Sequence, residues 1–562
     1  MSTPQSVISI CSGVRLDNRY EHSIYFENRD AQEEYFAGKV VKTFSAYSYL
    51  RKSWPLQVEA TMEEARKWSY LFFRNGSGKY YYYFINQIEY KNDHMVELTL
   101  ELDVLQTYLF DFKFLECFVE RQHTETDEIG EHTLDEGLDL GELEEVAPMN
   151  WIDLSDLCIL VLSTFNPNYV NVDKPVEALG SLYDRVFSGL TVWAVDSSKW
   201  ADWSNQLNAL DAKGFTDGIV AMWMYPKSCI ALGGENTWDD DVLCKVVKGC
   251  TFASSTFEYS YFNYRRTPKN NKLLCYPYNF LYVTNNQGGS AVYRYEKLDH
   301  HFSPTFQVVG SISADATVKM FPTDYNGVSL IQTANADGSN MYYCYGNYDH
   351  GLTLSNFPSC AWDADVYKLW LAQNQNQLQH SANTAGMAIA GGAITAIASL
   401  AMGNVVGAVG GAGAMIGGAQ QIGALMAQKA DMEIQPPQSR GAFSSNVNVV
   451  AKMHTFTFIT KRVDDEHHQA IDDYFTMYGY KLNRVRKPNL CARPAFTYIK
   501  TVGCNICNWH NEGQANVDGV KFCTEDRIKI TSIFDKGITF WVNGDRIGDY
   551  SQNNKPVEEE DA

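Results

Sequence analysis

The clearest pattern of hydrophobic and polar positions lies in residues 96–104. Apolar residues occupy every second position from Val96 to Val104, and the positions between them include Glu97, Glu101 and Asp103. A period of two predicts a β-strand with one buried face and one wet, acidic face. Such a strand is typical of an antiparallel sheet or a barrel wall.

Most other stretches also have the character of strands and turns. An aromatic run at 80–85 ends at turn-forming residues, and residues 151–375 alternate apolar stretches with turn-rich ones. Two helices are predicted. One spans 62–72, where Thr61 and Glu64 have the spacing of a capping box, and the other spans 465–478. We therefore expect a mainly β protein with a few helices, of the α+β class. Further strands are predicted at 447–450, 455–459 and 537–542.

One long segment has a different composition. Residues 369–428 contain no Asp, Glu, Lys or Arg, and within 385–419 the polar side chains are Thr395, Ser399 and Asn404. Gly403 and Asn404 divide this segment into two arms of roughly membrane-spanning length. After the segment, Pro436 and Pro437 stop any helix that reaches them. The apolar side chains that we expect to enter a membrane are Ala385, Met387, Ile389, Ile394, Ile397, Leu400, Met402, Val405, Val406, Val409, Met415, Ile416, Ile422 and Leu425.

Three interpretations of this segment remain open. It is a permanent transmembrane hairpin, a pair of helices buried in a soluble core, or a segment stored in a soluble assembly and later released into a bilayer. The flanks lack the Lys/Arg clusters of a permanent span, and Ala and Gly offer little side-chain volume to fill a core. In a membrane, small residues let helices approach closely. We favour storage followed by release.

Composition and charge narrow the possible functions. The 562-residue chain is 13% aromatic with 34 Tyr, which suits half-buried strands and subunit interfaces. Its formal net charge of −21 disfavours nucleic-acid binding but suits a conduit that must not retain DNA. The N-terminal residues do not resemble a signal peptide. The 13 Cys are widely spaced, which indicates buried thiols in a chain made in a reducing cytosol.

Candidate chemical sites are few. Cys504, Cys507, His510 and Cys523 are zinc-type ligands, but only the first pair has the usual spacing, so buried thiols are preferred. The acidic and histidine cluster at 464–468 is interpreted as a helix start, and the acidic residues at 235–241 as a polar loop. The sequence has no P-loop, no G-x-S-x-G and no H-E-x-x-H. We expect no enzymatic activity, no cofactor and no metal.

Four groups of short motifs resemble one family. They are ELDVLQTY at 101–108 with DFKF at 111–114, TLDEGL at 133–138, YGYKLNRV at 478–485 followed by KPNL at 487–490, and IFDKGITFW at 533–541. In this order, with the Gly/Ala-rich segment between the second and third groups, they resemble the tail knob (distal tail tube) proteins of small short-tailed phages, the Picovirinae-type podoviruses. The resemblance covers about a third of the chain and does not extend to 151–375.

The resemblance implies a virion protein made in the host cytoplasm. It implies a homohexamer whose β-barrel-like domains form a ring at the distal end of the tail, next to other phage tail proteins. A long hydrophobic loop would plug the channel and then enter the host cell membrane, so that the genome passes without specific DNA binding. Glu97, Glu101 and Asp103 are then candidates for the lumen, although an outer wet face would give the same pattern.

The resulting domain prediction has five parts. They are an N-terminal tube domain at 1–150, a middle region or knob at 151–368, the hydrophobic loop at 369–437, C-terminal tube strands at 438–550, and a disordered acidic tail at 551–562. The alternative functions are a virion-associated cell-wall hydrolase and a host receptor-binding tail protein. The first needs paired carboxylates, which require no local motif.

Overall fold

The computed structural model describes most of the chain outside the hydrophobic segment. The described residues are 6–47, 55–74, 78–168, 191–215, 218–250, 256–258, 267–310, 312, 316–326, 331–334, 340–343, 350–357, 360–363, 454–508 and 524–556. The chain divides into two compact units, each assembled from separate stretches. The first comprises Met1–Leu143, Tyr264–Tyr278 and Val463–Ala562, and the second comprises Glu144–Asn263 and Asn279–Arg462.

Strands dominate both units. Those up to residue 226 are β1 (Ser6–Ser12), β2 (His22–Ile24), β3 (Val40–Tyr47), β4 (Leu56–Glu59), β5 (Trp68–Arg74), β6 (Tyr80–Asn92), β7 (Met95–Leu102), β8 (Phe112–Phe114), β9 (Cys117–Gln122), β10 (Leu143–Asn150), β11 (Leu157–Ser163), β12 (Thr191–Asp196) and β13 (Ile219–Pro226). Those that follow are β14 (Ile230–Leu232), β15 (Lys245–Cys250), β16 (Thr256–Glu258), β17 (Asn279–Thr284), β18 (Ser290–Tyr293), β19 (Thr305–Val309), β20 (Ala316–Pro322), β21 (Ile331–Ala334), β22 (Asn340–Tyr343), β23 (Leu352–Phe357), β24 (Cys360–Asp363), β25 (Thr457–Val463), β26 (Tyr480–Arg486), β27 (Phe496–Val502), β28 (Ile506–Asn508) and β29 (Ile538–Trp541).

The described helices are short. The α-helices are α1 (Arg29–Ala37), α2 (Met62–Ala65), α3 (Val104–Tyr108), α4 (Trp200–Asp211), α5 (Asp465–Tyr478) and α6 (Thr524–Lys536). Single 3-10 turns occur at Ser197–Lys199, Lys227–Cys229, Asn271–Leu274, Tyr295–Lys297 and Gly544–Arg546. The predicted fold class, mainly β with a few helices, is confirmed. Among the described residues, none of the helices combines the length and the apolar character needed to cross a bilayer.

The first unit contains two principal sheets. One is six-stranded in the order β3-β1-β5-β6-β7-β4, and the other is five-stranded in the order β2-β29-β27-β9-β26. The short strands β8 and β28 form a separate pair. Strand β7 has the predicted alternation, because Val96, Leu98, Leu100 and Leu102 are buried and the residues between them are not. Aromatic rings fill the core, where Phe36 stacks on Tyr70 with ring centroids 5.2 Å apart.

The predicted helix at 62–72 was wrong for most of its length. Thr61 and Glu64 do form a capping box, but the helix ends at Ala65, and β5 begins at Trp68. Strand β5 lies between β1 and β6 in the six-stranded sheet. Its aromatic residues suit a half-buried pleated surface better than a helix. The helix predicted at 465–478 is confirmed as α5.

The second unit contains three sheets of four or more strands and a two-stranded ribbon. Their orders are β14-β15-β12-β11-β13-β24, β10-β25-β17-β18, β16-β19-β20-β23 and β21-β22. Strands β11 and β13 are almost entirely buried, which explains their continuous apolar sequence. The predicted strand at 537–542 is confirmed as β29, and the one at 455–459 begins two residues later, in β25. The strand predicted at 447–450 lies outside the described residues.

Each compact unit combines stretches from more than one of the predicted domains, and the predicted domain boundaries stay predictions.

The end of the chain differs from the expectation. Asn554 is 9% exposed, and its side-chain oxygen accepts hydrogen bonds from the N–H groups of Ala495 and Phe496 at 3.0 and 3.1 Å. The expectation of disorder from residue 551 was therefore wrong for residues 551–556.

Candidate functional site

The predicted membrane-entering segment lies outside the described residues. This applies to the apolar side chains from Ala385 to Leu425, to Gly403 and Asn404, and to Pro436 and Pro437. The described chain leaves off at the end of β24 and resumes at His454. These two ends border the segment on either side.

Both ends are anchored in the second unit. Strand β24 pairs with β13, and His454, only 1% exposed, stacks on Phe357 with ring centroids 5.7 Å apart and an interplanar angle of 10°. The N–H of Trp151 donates to the carbonyl of Phe456 at 2.8 Å, and Thr455 is fully buried. The described chain on both sides of the segment thus belongs to the packed core of the second unit.

The acidic face of β7 retains Glu97 and Glu101, but both carboxylates are engaged. Glu97 accepts a hydrogen bond from Gln57 Nε2 at 2.7 Å and pairs with Lys91 Nζ at 3.1 Å. These contacts lower the pKa of Glu97. Its side chain is 14% exposed, so this face is only partly wet.

Glu101 is the centre of a second set of contacts on the same face. It accepts hydrogen bonds from the amides of Asn18 and Asn86, each at 2.8 Å, and from Lys529 Nζ at 2.7 Å. Burial raises the pKa of Glu101, but these donors outweigh burial and the net shift is downward. Glu101 therefore stays charged and also fastens α6 and the segment after β1 to the sheet.

Asp103 does not belong to the acidic face, and its assignment there was wrong. The strand ends at Leu102, and Asp103 caps α3 by accepting from the N–H groups of Leu105 and Gln106, both at 3.1 Å. It also accepts from Tyr70 Oη at 2.8 Å and is 2% exposed. Burial raises its pKa to about 6. A buried capping carboxylate cannot line an aqueous channel.

The family-like motifs at 133–138 and 478–485 meet at a buried ion cluster. Glu136, whose side chain is fully buried, pairs with the guanidinium of Arg121 and with Lys272 Nζ. It also accepts from the backbone N–H of Lys481 at 2.9 Å. Burial lowers the pKa of Lys272, and the charge of Glu136 acts against this shift. The cluster fixes three distant stretches of chain to one another.

A second buried polar set lies close by in sequence. Tyr480 Oη donates to Asp127 Oδ1 at 2.6 Å, and Asp127 Oδ2 accepts from the N–H of Asn271 at 3.1 Å. Asn270 Nδ2 donates to Asp472 Oδ1 at 2.8 Å. Sequence reasoning missed this set, because its members are separated by up to 353 residues. Only Tyr480 of this set lies inside a family-like motif.

The candidate metal ligands do not form a site among the described residues, where no group of three His, Cys, Asp or Glu could hold an ion. Cys504 is buried, and burial raises the pKa of its thiol to about 12. His510 and Cys523 lie outside the described residues. Asp464 caps α5, as expected for a helix start, and Asp240 accepts from the N–H and hydroxyl of Thr237 within a polar loop.

Comparison with known proteins gives consistent matches. Residues 245–555 match the family model described as Bacillus phage phi29 tail knob protein gp9, C-terminal domain, and residues 4–113 match the caudoviral major tail protein N-terminus. The chain is 27% identical to tail knob protein gp9 of Bacillus phage B103 and 26% identical to that of Bacillus phage phi29. Each alignment covers 98% of both chains. The bacteriophage C1 tail knob protein gp12 has a similar fold, with a TM-score of 0.58, 13% identity and 98% coverage of both chains.

Proposed function

Since this chain belongs to the family of the Bacillus phage phi29 tail knob protein gp9, we propose that six copies form the distal tube of a short phage tail. The role is structural rather than catalytic. In the virion, the Gly/Ala-rich segment at 385–419 blocks the channel. During infection it leaves the tube and enters the host cell membrane, which opens a path for the genome.

The observation that carries this proposal is the uncharged segment together with its anchored ends. No Asp, Glu, Lys or Arg interrupts residues 369–428, and His454 stacks on Phe357 on the other side of the segment. A long segment whose two ends are anchored in the same unit can change its surroundings while that unit stays folded. Apolar area buried in a tube or in lipid contributes about 25 cal/mol per Å² in either place, so the two states are close in free energy.

Leakage of dye from liposomes tests the segment. We expect leakage after brief acid or heat treatment of the assembled protein, and we expect its loss in the double variant I397D/V409D. An Asp at the centre of a membrane helix costs about 2.5–3.5 kcal/mol, whereas the length of the segment is unchanged.

The matched control is T395A/S399A, which alters two polar positions of the same segment without adding charge. It should leak like the wild type. Equal leakage from the charged variant, or from a chain that lacks 385–419, would reject the membrane role of the segment.

Glu97 and Glu101 remain proposed lumen residues, without Asp103. A lumen face with carboxylates repels the DNA backbone and keeps the genome moving. Reversal of both charges in E97K/E101K should slow DNA release from phage particles. Because Glu101 also pairs with Lys529, the control is E101K/K529E, which restores the ion pair. Unchanged release kinetics in E97K/E101K would remove the lumen assignment.

A further inference from the structure

Three apolar side chains form an exposed row across neighbouring strands of the first unit. Phe118 on β9 is paired with Val485 on β26 and with Val502 on β27. Directly paired residues share one face of a sheet, with Cβ atoms about 4.5–5.5 Å apart. Their exposures are 38%, 65% and 55%. Single exposed apolar residues are ordinary, but three in direct register form a patch.

The two faces of these strands differ. On the opposite face, Cys117, Val119 and Leu482 are packed together and buried. On the face of the row, α5 covers only one end of the sheet, where Tyr478 packs on Tyr498 with ring centroids 5.1 Å apart. By strand alternation, Tyr498 and Val502 lie on the same face of β27. Among the residues that the structure describes, the row is therefore the exposed continuation of this face.

Polar groups border the row. Glu120 and Lys500 form an ion pair at 2.8 Å between the row and the helix-covered end. Beyond the row, Lys487 follows the edge strand β26. It is exposed and forms no ion pair with the residues that the structure describes. An apolar centre with a charged rim is the usual anatomy of a protein interface.

The charges indicate which kind of surface the row accepts. The exposed and unpaired Lys487 favours an acidic partner, and each copy of this chain has a formal net charge of −21. Addition of a strand to β26 is disfavoured by its charged residues and by the irregularity between Lys481 and Arg484. The contact is therefore made by the face of the sheet rather than by its edge.

We propose that the row Phe118, Val485 and Val502 is part of the contact between adjacent copies of this chain. This inference rests on the proposed ring and assigns one of its subunit interfaces. In a closed ring, such a contact is heterologous, so the row meets a different, acidic surface of the neighbouring copy. The row supplies the desolvated centre, and Lys487 supplies the charge complementarity.

Mass photometry of the purified full chain across a concentration series tests the inference. The variant V485D/V502D places two carboxylates in the row. The control V542D changes a valine that is 44% exposed in the same unit and whose N–H bonds to Ala495, at the other end of β27. We expect V485D/V502D to weaken ring formation by about tenfold or more, equivalent to about 1.4 kcal/mol, and V542D to assemble like the wild type.

Each outcome separates this inference from the proposed function. Thermal melting of the monomers must be unchanged, which the high exposure of both valines predicts. Rings of wild type and of V485D/V502D with equal stability would overturn the interface and leave the ring intact. Equal loss of rings in V542D would show that the row is not specific and would overturn the inference too. A wild-type chain that never forms rings would contradict the proposed ring itself, and the interface with it.

Discussion

At the scale of single residues, the first unit depends on buried charges that compensate one another. Glu136 holds two cations, Arg121 and Lys272, in a place where its own side chain has no exposure. Desolvation of an ion costs several kcal/mol, so such a cluster persists only while its members remain paired. Its value lies in fixing residues from three stretches of chain in one arrangement.

Substitution of the carboxylate should expose this dependence. E136Q leaves two buried cations without their counter-charge, and we expect a loss of about 3–5 kcal/mol in the free energy of unfolding. The control E145Q removes an exposed partner of Lys461, 3.0 Å away, which should cost less than about 1 kcal/mol. Denaturant unfolding measures both, and equal small losses would show that the cluster is not critical for stability.

His123 predicts a pH dependence. It is 3% exposed, its Nδ1 accepts from the N–H of Tyr498 at 2.8 Å, and its Nε2 lies 3.0 Å from the carbonyl of Thr476. Burial, with the nearby charge of Arg493, lowers its pKa to about 3. The pKa of His123 is lower in the folded protein than the value of 6.5 in the unfolded chain. The neutral side chain therefore contributes its full stabilisation above pH 6.5, and this stabilisation is lost as the pH falls toward 3.

We expect the free energy of unfolding to fall by about 1.4 kcal/mol per pH unit below pH 6.5 from this residue alone. The slope should become smaller by this amount in H123Q and should be unchanged in H94Q, which changes an exposed histidine. Urea titrations at several pH values measure it. Parallel slopes in H123Q and the wild type would show that His123 is not the cause.

Asp103 shows where a residue-scale prediction failed. The alternation from Val96 to Val104 is real up to Leu102, after which the same sequence begins a helix. A period of two cannot indicate the residue at which a strand ends. An Asp that precedes Val104-Leu105-Gln106 also fits a helix cap, and this was the signal that could have identified it.

At the scale of elements, Gly479 controls the connection between α5 and β26. It has a φ of 63°, and a Cβ atom at this position would lie 2.5 Å from the backbone N of His123. Both the backbone conformation and the close approach therefore require glycine. The YGY sequence in the family-like motif thus has a physical role in bringing Tyr480 to Asp127.

The variant G479A should be strongly destabilised, because its backbone (φ 63°, ψ −152°) lies in a region essentially restricted to glycine, at a cost of about 1–3 kcal/mol, and a backbone clash adds to this strain. Its control is G503A, with a φ of 69° and no neighbouring atom within 4 Å of the added Cβ. Only the conformational strain should appear there. Thermal melting compares the two, and equal losses would show that the close approach contributes nothing.

The sequence correctly predicted a helix or a strand where one face of the element is buried, as in β7 and α5. It failed where pairing with strands distant along the chain determines whether a stretch is a helix or a strand. Residues 68–74 come after a genuine helix start, and only the neighbouring strands β1 and β6 make them a central strand. Local sequence contains no information about partners that are distant along the chain.

At the scale of the whole molecule, the sequence predicted the fold class, the family and an unusual uncharged segment. It did not predict that the short stretch Tyr264–Tyr278 joins the first unit while its neighbours on both sides belong to the second. Asn270 and Lys272 explain this assignment, since Asn270 bonds to Asp472 and Lys272 pairs with Glu136. Such interleaving depends on buried polar contacts that have no periodic signature.

In the proposed function, one stretch of chain is stored within a protein assembly and is later transferred into lipid. A photoreactive residue at position 397 in phage particles tests it most directly, with the same group at Val292, a 42% exposed site, as the control. We predict that position 397 crosslinks to protein in free virions and to lipid after adsorption to host cells, and that position 292 does not crosslink to lipid. Crosslinks from position 397 to protein alone, both before and after adsorption, would contradict the account.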